Sequence, residues 1–328
     1  MITRWTVLTG LLAGLLVGPV SALAQPMVLG TTGMVADTVD AVGGECVEAR
    51  ALMGPGVDPH LYQASASDVR AFQQADLIVY NGFGLEGQLD DVLTRFGERR
   101  ATLALAEAAA AQGSGGAIDG AGDFATDPHL WMDAALWSQG AAPLGEALAA
   151  IAPDCRDAIV ARADALEARL QALDRWIEAS VASIPAAQRI LLTAHDAFRY
   201  YGRAYDIEVQ GVQGISTSAE ASVADIRATT ALIAERDIPA IFVETTINPR
   251  NIEAVVKAAR ERSAEVSIGG TLYGDALGEP GTLADSLVGM LMHNTARITG
   301  ALGGELAPLP PALAGRREAL DALRSRDG

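Results

Sequence analysis

A run of about thirty residues, 154–184, carries apolar side chains at Ile159, Ala163, Leu166, Leu170, Leu173 and Ile177, alternately four and three apart as on one face of a helix. The run is long for a globular helix and stops short of the roughly three to four heptads that a coiled coil requires. It reads as a rigid spacer, with Pro153 closing whatever precedes it. A chain of 328 residues is long enough to hold one domain on each side of such a spacer.

Both flanks alternate short apolar runs with helical segments. Before the spacer, strands are expected at 28–32, 47–53 and 77–80, and helices at 35–42, 66–74 and 85–96. A mostly helical stretch at 134–150 follows, which Pro143 must begin or kink. Residues 108–126, rich in Ala, Gly and Ser, read as a flexible surface loop. After the spacer, strands are expected at 190–193, 240–243 and 266–268, with helices at 197–205, 223–235, 249–260 and 286–302. Strands separated by helices pair in parallel through crossovers. The expected fold is α/β: two lobes, each a parallel sheet flanked by helices, joined by one long rigid helix. The divisions are 1–24 (export signal), 25–153 (first lobe), 154–184 (linker) and 185–328 (second lobe with a polar tail).

The first 24 residues resemble an export signal. Arg4 supplies a basic start, 8–20 is apolar, and Ala22-Leu23-Ala24 has the small-residue pattern of a cleavage site. Cleavage after Ala24 leaves Gln25 as the first mature residue and implies a periplasmic protein. The apolar stretch is short for an uncleaved membrane anchor, and no cysteine nearby offers a lipid attachment point. The two cysteines, Cys46 and Cys155, match no zinc-knuckle or redox spacing. An oxidising compartment permits their pairing, but nothing in the sequence sets their distance.

The formal charge of −17 argues against nucleic acid and anionic lipid as partners, but not against cations. It also serves simply to keep an exported protein soluble. Of the four histidines, two sit in matching contexts: Asp58-Pro59-His60-Leu61-Tyr62 and Asp127-Pro128-His129-Leu130-Trp131. Each proline fixes its own φ and holds the preceding Asp extended, so the imidazole leaves a stiff loop. His195 follows the strand at 190–193 directly, and Asp275 lies beyond the one at 266–268. Ligands of open α/β sheets bind past the carboxyl ends of the strands. Three imidazoles and a carboxylate suit zinc, manganese or iron(II). A single loop histidine is more often a hydrogen-bonded structural residue, so the weight rests on the matched pair and the strand-end positions. His293, inside the helix at 286–302, is assigned to packing. Glu244, after the strand at 240–243, is either an acceptor for a ligand N–H or a solvent-facing residue.

Five segments together resemble the cluster A-I, TroA-like solute-binding proteins that deliver zinc or manganese to ABC importers. They are Gly54-Pro55-Gly56-Val57-Asp58-Pro59-His60, Asp127-Pro128-His129-Leu130-Trp131-Met132-Asp133, Thr193-Ala194-His195-Asp196-Ala197-Phe198, Gln213-Gly214-Ile215-Ser216-Thr217 and Gly270-Thr271-Leu272-Tyr273-Gly274-Asp275-Ala276. The resemblance implies metal ligands at His60 and His129 from the first lobe and at His195 and Asp275 from the second. It also implies an importer permease as partner, and the protein is expected to act as a monomer. Members with His at the third ligand position form nitrogen-rich sites, whereas Glu there is more usual in manganese-specific members. His195 therefore favours Zn2+ over Mn2+ or Fe2+. Against this, many zinc-specific relatives have a His-rich loop before the second ligand, and the stretch 108–126 has no histidine.

Two other classes compete. A zinc hydrolase needs an open coordination position and a base; four protein ligands fill a tetrahedral shell, although Glu244 is available as a base. A surface adhesin is better served by an exposed aromatic patch, and aromatic residues make up only 5% of the chain.

Overall fold

A computed structural model describes residues 25–112 and 116–325; the proposed export signal at 1–24 lies outside them. The first lobe is built on a parallel sheet of four strands, β1 (Met27–Gly30), β2 (Glu48–Ala51), β3 (Leu77–Tyr80) and β4 (Thr102–Ala104), in the order β2-β1-β3-β4. The sequence of each strand explains its place. The central β1 and β3, MVLG and LIVY, are apolar and nearly all buried, whereas the edge strand β2, EARA, is largely exposed. The chain leaves β1 in one direction and β3 in the other, and their carboxyl ends form the crevice where open α/β sheets take ligands.

Helices α1 (Gly33–Gly43), α2 (Ala66–Gln74), α3 (Asp90–Gly97) and α4 (Leu105–Gln112) cover this sheet, followed by α5 (Ala134–Ser138) and α6 (Ala141–Ile151). Pro143 is the third residue of α6, where its missing N–H costs nothing. The expected strands and helices of this lobe are present, with β4 and α4 in addition. Residues 108–112 complete α4 and so do not belong to a loop; Ala-rich helix and Ala-rich loop look alike when no large side chain marks a buried face.

The spacer is α7 (Arg156–Val181), 26 residues and so about 39 Å long. Its buried face includes all six apolar residues that set the spacing. It packs on α1, α5 and α6 of the first lobe and on α8 (Arg199–Tyr205) and α11 (Leu287–Ala301) of the second. One apolar cluster consequently runs through both lobes, from Val28 and Val79 past Leu170 to Phe242 and Leu291.

In the second lobe the strands form two parallel pairs, β5 (Ile190–Thr193) with β6 (Glu208–Gly211), and β7 (Ala240–Glu244) with β8 (Ser267–Leu272). β5 and β7 stand side by side. The edge strand β6 is half-exposed, EVQG, without the apolar run that marks its neighbours. Helix α10 (Arg250–Glu261) packs on β7 and on α9 (Val223–Arg236), and α12 (Arg317–Ser325) lies against α11. The C-terminal segment expected as a polar tail thus ends in a helix, held to the core by the buried Leu313 and Leu320. Cys46, just past α1, is bonded to Cys155, just before α7.

Candidate metal centre

Each of the four candidate donors leaves the sheet side of its lobe on a loop with its own restraint. His60 follows β2, and the Asp58 carboxylate accepts its backbone N–H at 2.9 Å. His129 repeats that turn, with Asp127 Oδ1 accepting its N–H at 3.0 Å. The His129 loop is further fixed by Asn81, whose Nδ2 donates to the Pro128 carbonyl at 2.9 Å. Asn81 is anchored in turn by the buried Glu86, which accepts its N–H at 2.6 Å and the Thr31 hydroxyl at 2.7 Å, joining the ends of β1 and β3. His195 lies two residues past β5 and Asp275 three past β8.

These side chains meet. One donor atom from each of His60, His129, His195 and Asp275 lies within 4.8 Å of every other. Asp275 is the hub: its Oδ1 is 3.3 Å from His129 Nε2, and its Oδ2 is 3.1 Å from His195 Nε2 and 3.5 Å from His60 Nε2. The two first-lobe imidazoles are 3.4 Å apart, Nε2 to Nε2. Four donors placed tetrahedrally around zinc at about 2.0–2.1 Å stand about 3.3 Å from one another. His60, the most accessible of the four, is 8% exposed.

Both oxygens of Asp275 and His195 Nε2 are buried without a hydrogen-bond partner. Buried acceptors left bare cost free energy, and a dication supplies what all of them lack. Two of the imidazoles are backed by carboxylates: Asp127 Oδ1 lies 2.8 Å from His129 Nδ1, and Glu244 Oε2 lies 2.8 Å from His195 Nδ1. Such partners fix the ring and raise the basicity of the opposite nitrogen. Burial alone would lower the pKa of His129, but the neighbouring Asp127 and Asp275 carboxylates outweigh it and raise it to about 9. For His195 burial is likewise outweighed, by the charges of Asp275 and Glu244, and its pKa stands well above the ordinary value. Burial would raise the Asp275 carboxyl; the facing imidazoles win and hold it well below the usual range. His60 has no such carboxylate, and burial takes it down to about 3.

Glu244 is buried behind His195 and does not face solvent. His293 stands apart from the donors: its Nε2 lies 3.0 Å from the Thr271 carbonyl, where it braces β8. The repeated D-P-H spacing makes legible only the shared bond from each Asp to the backbone N–H of its histidine; the ring contact is made by Asp127 alone. Of three other contributors, only Trp131 lies in a segment that the sequence marks, and its role there is not legible. Asn294, in the middle of α11, binds both the N–H and the carbonyl of Tyr273, at 2.9 and 2.8 Å, in the loop that ends at Asp275. Trp131 donates to the Gly274 carbonyl at 3.1 Å. Tyr200 on α8 donates to the Asp127 carbonyl at 2.9 Å.

Residues 116–126 are strapped down, in contrast to the flexible loop their composition suggests. Arg199 and Arg203 donate to the carbonyls of Asp119 and Gly116 at 2.9 and 3.1 Å. Phe124 sets its edge against the His60 ring at 5.7 Å between centroids. The two arginines come from α8, about eighty residues away, and small side chains do not announce their bonds.

Comparison with known proteins agrees in fold and extent. The family described as zinc-uptake complex component A, periplasmic, matches residues 28–301. The manganese-binding lipoprotein MntA of Bacillus subtilis (strain 168) is 40% identical over 283 residues, covering 86% of this chain and 91% of that protein. The zinc-binding protein TroA of Treponema pallidum (strain Nichols) is 40% identical over 282 residues, covering 86% and 90%. The solved structure of the periplasmic zinc-binding protein TroA from Treponema pallidum superposes with a TM-score of 0.81, over 85% of this chain and 99% of that one.

Proposed function

Because this chain belongs to the family of periplasmic zinc-uptake components, we propose that it captures one divalent transition-metal ion and hands it to the permease of an ABC importer. The ligands are His60, His129, His195 and Asp275, two from each lobe, with the lobes at 25–153 and 185–328 and the linker at 154–184. The observation that carries this reading is the meeting of four buried donor atoms, brought from four loops to within 4.8 Å.

Zinc is the preferred cargo, manganese the next. Relatives at 40% identity include a manganese-binding and a zinc-binding protein, so identity does not choose between the metals, and the donors must. Three nitrogens and one carboxylate bind zinc more tightly than manganese or iron(II). Both Asp275 oxygens face imidazoles, so a chelating carboxylate gives a fifth donor, a feature that suits the larger Mn2+. Capture is also favoured over turnover, because the four donors are buried and fill a tetrahedral shell. The protein works outside the cytoplasmic membrane, with the mature chain beginning at Gln25. No helix among the described residues is long and apolar enough to cross a membrane.

The decisive experiment is elemental analysis of protein taken from its native periplasm without added metal. One equivalent of zinc is expected in the wild type and none in Asp275→Ala. A metal-free wild type that also fails to bind Zn2+ or Mn2+ in dialysis would overturn the assignment.

A further inference from the structure

Besides the bond from Tyr200 to the Asp127 carbonyl, two hydrogen bonds cross between the lobes beside the donors, each linking the segment of a first-lobe donor to the surroundings of a second-lobe one. In the first, Asp58 uses one oxygen for the backbone N–H of His60, and the other accepts the Thr217 hydroxyl at 2.6 Å. Thr217 belongs to a loop laid along the His195 segment: the Gln213 N–H bonds the Ala194 carbonyl at 2.9 Å, and the Asp196 N–H bonds the Gly214 carbonyl at 3.2 Å. The far end of that loop is set by the capping box of Ser222 and Asp225 at the start of α9. The second bond runs from Trp131 Nε1 to the Gly274 carbonyl. Trp131 is two residues past His129, with the two rings 5.2 Å apart, and Gly274 directly precedes Asp275.

We propose that Thr217 and Trp131 are positioning residues that set how long the metal is held, the first by tying His60 to His195 and the second by tying His129 to Asp275. The inference rests on the metal-site reading above. Neither residue touches the ion's position. A site divided two and two releases its cargo when the halves separate, and these bonds resist that separation on either side of the ion.

The test is the rate at which Zn2+ is lost to excess chelator, followed by stopped flow on the full chain. Thr217→Val keeps the side-chain shape and removes the hydroxyl; Thr217→Ser restores it. The Val variant is expected to release Zn2+ about tenfold faster, and the Ser variant to match wild type. The unfolding midpoint of the metal-free protein should fall by no more than about 2–4 °C. Trp131→Phe keeps an aromatic ring, loses the N–H, and is expected to release faster as well; should it fail to fold, the Thr217 pair still decides. A wild type that holds Zn2+ beside a Val variant with an unchanged release rate would leave the metal site standing and overturn the tie. A Ser variant that releases as fast as Val would overturn the tie equally. A wild type that takes up no Zn2+ would overturn the function itself, and the tie with it.

Discussion

Glu244 holds His195 from two directions: its Oε1 accepts the backbone N–H at 2.9 Å, and its Oε2 lies 2.8 Å from the ring Nδ1. The ring is thereby aimed with Nε2 toward Asp275. Glu244→Gln keeps the shape and removes the charge. It is expected to lower zinc affinity roughly 10- to 100-fold, the usual effect of losing a ligand's carboxylate partner. Competition titration with a chelating dye measures this, and an unchanged affinity would make Glu244 a bystander.

Gly274 shows how tightly the backbone closes on the same pair. A Cβ there would collide with Glu244 Oε2 and stand 3.1 Å from His195 Cε1. Gly274→Ala should therefore displace His195, Glu244 or Asp275, and weaken zinc binding at least tenfold. Gly300→Ala is the control, since a Cβ at Gly300 has nothing within 4 Å. That helical position should tolerate Ala with affinity intact and stability raised by roughly 0.5–1 kcal/mol.

Protons compete with the metal. The pKa of His129 is raised to about 9 because the Asp127 and Asp275 carboxylates outweigh burial, so at pH 7 the metal-free imidazole holds a proton that coordination must expel. Apparent affinity should rise from pH 7 toward 9, by about tenfold per unit for each proton released. The same shift has the opposite sign for the metal-free fold. A folded pKa above the unfolded value near 6.5 stabilises fully below that pH, and the gain is lost as pH rises through about 9. Calorimetry at pH 7 in buffers of different ionisation heat checks the first claim. Identical heats would mean that no proton leaves.

Much of this is readable from residues alone, and for physical reasons. Central strands such as β3 and β5 are continuous apolar runs with sharp ends, and α7 keeps one buried face for 26 residues. The edge strands β4 and β6, which lack a buried face, are not readable. The four donors stand out because prolines and strand ends mark their loops. Their supporters do not: Asn294 and Trp131 are ordinary helix and turn residues whose partners lie 21 and 143 positions away. The role of Glu244 follows only from strands β5 and β7 lying side by side, which places it behind His195.

The pairing of Cys46 with Cys155 belongs to the same class of long-range facts, since it joins residues 109 positions apart. A loop of about that length stabilises by roughly 4–5 kcal/mol when cross-linked, on the chain-entropy model. The bond ties the turn after α1 to the start of α7. Because α1 begins at the carboxyl end of β1 and runs back along the sheet, its last turn lies at the edge remote from the donors. Replacing both cysteines with serine should therefore lower the unfolding midpoint of the metal-free protein substantially while leaving zinc affinity at wild-type level. Thermal unfolding and competition titration on the same variant separate the two effects. A large loss of affinity in a still-folded variant would mean that the remote end of α1 reaches the metal centre after all.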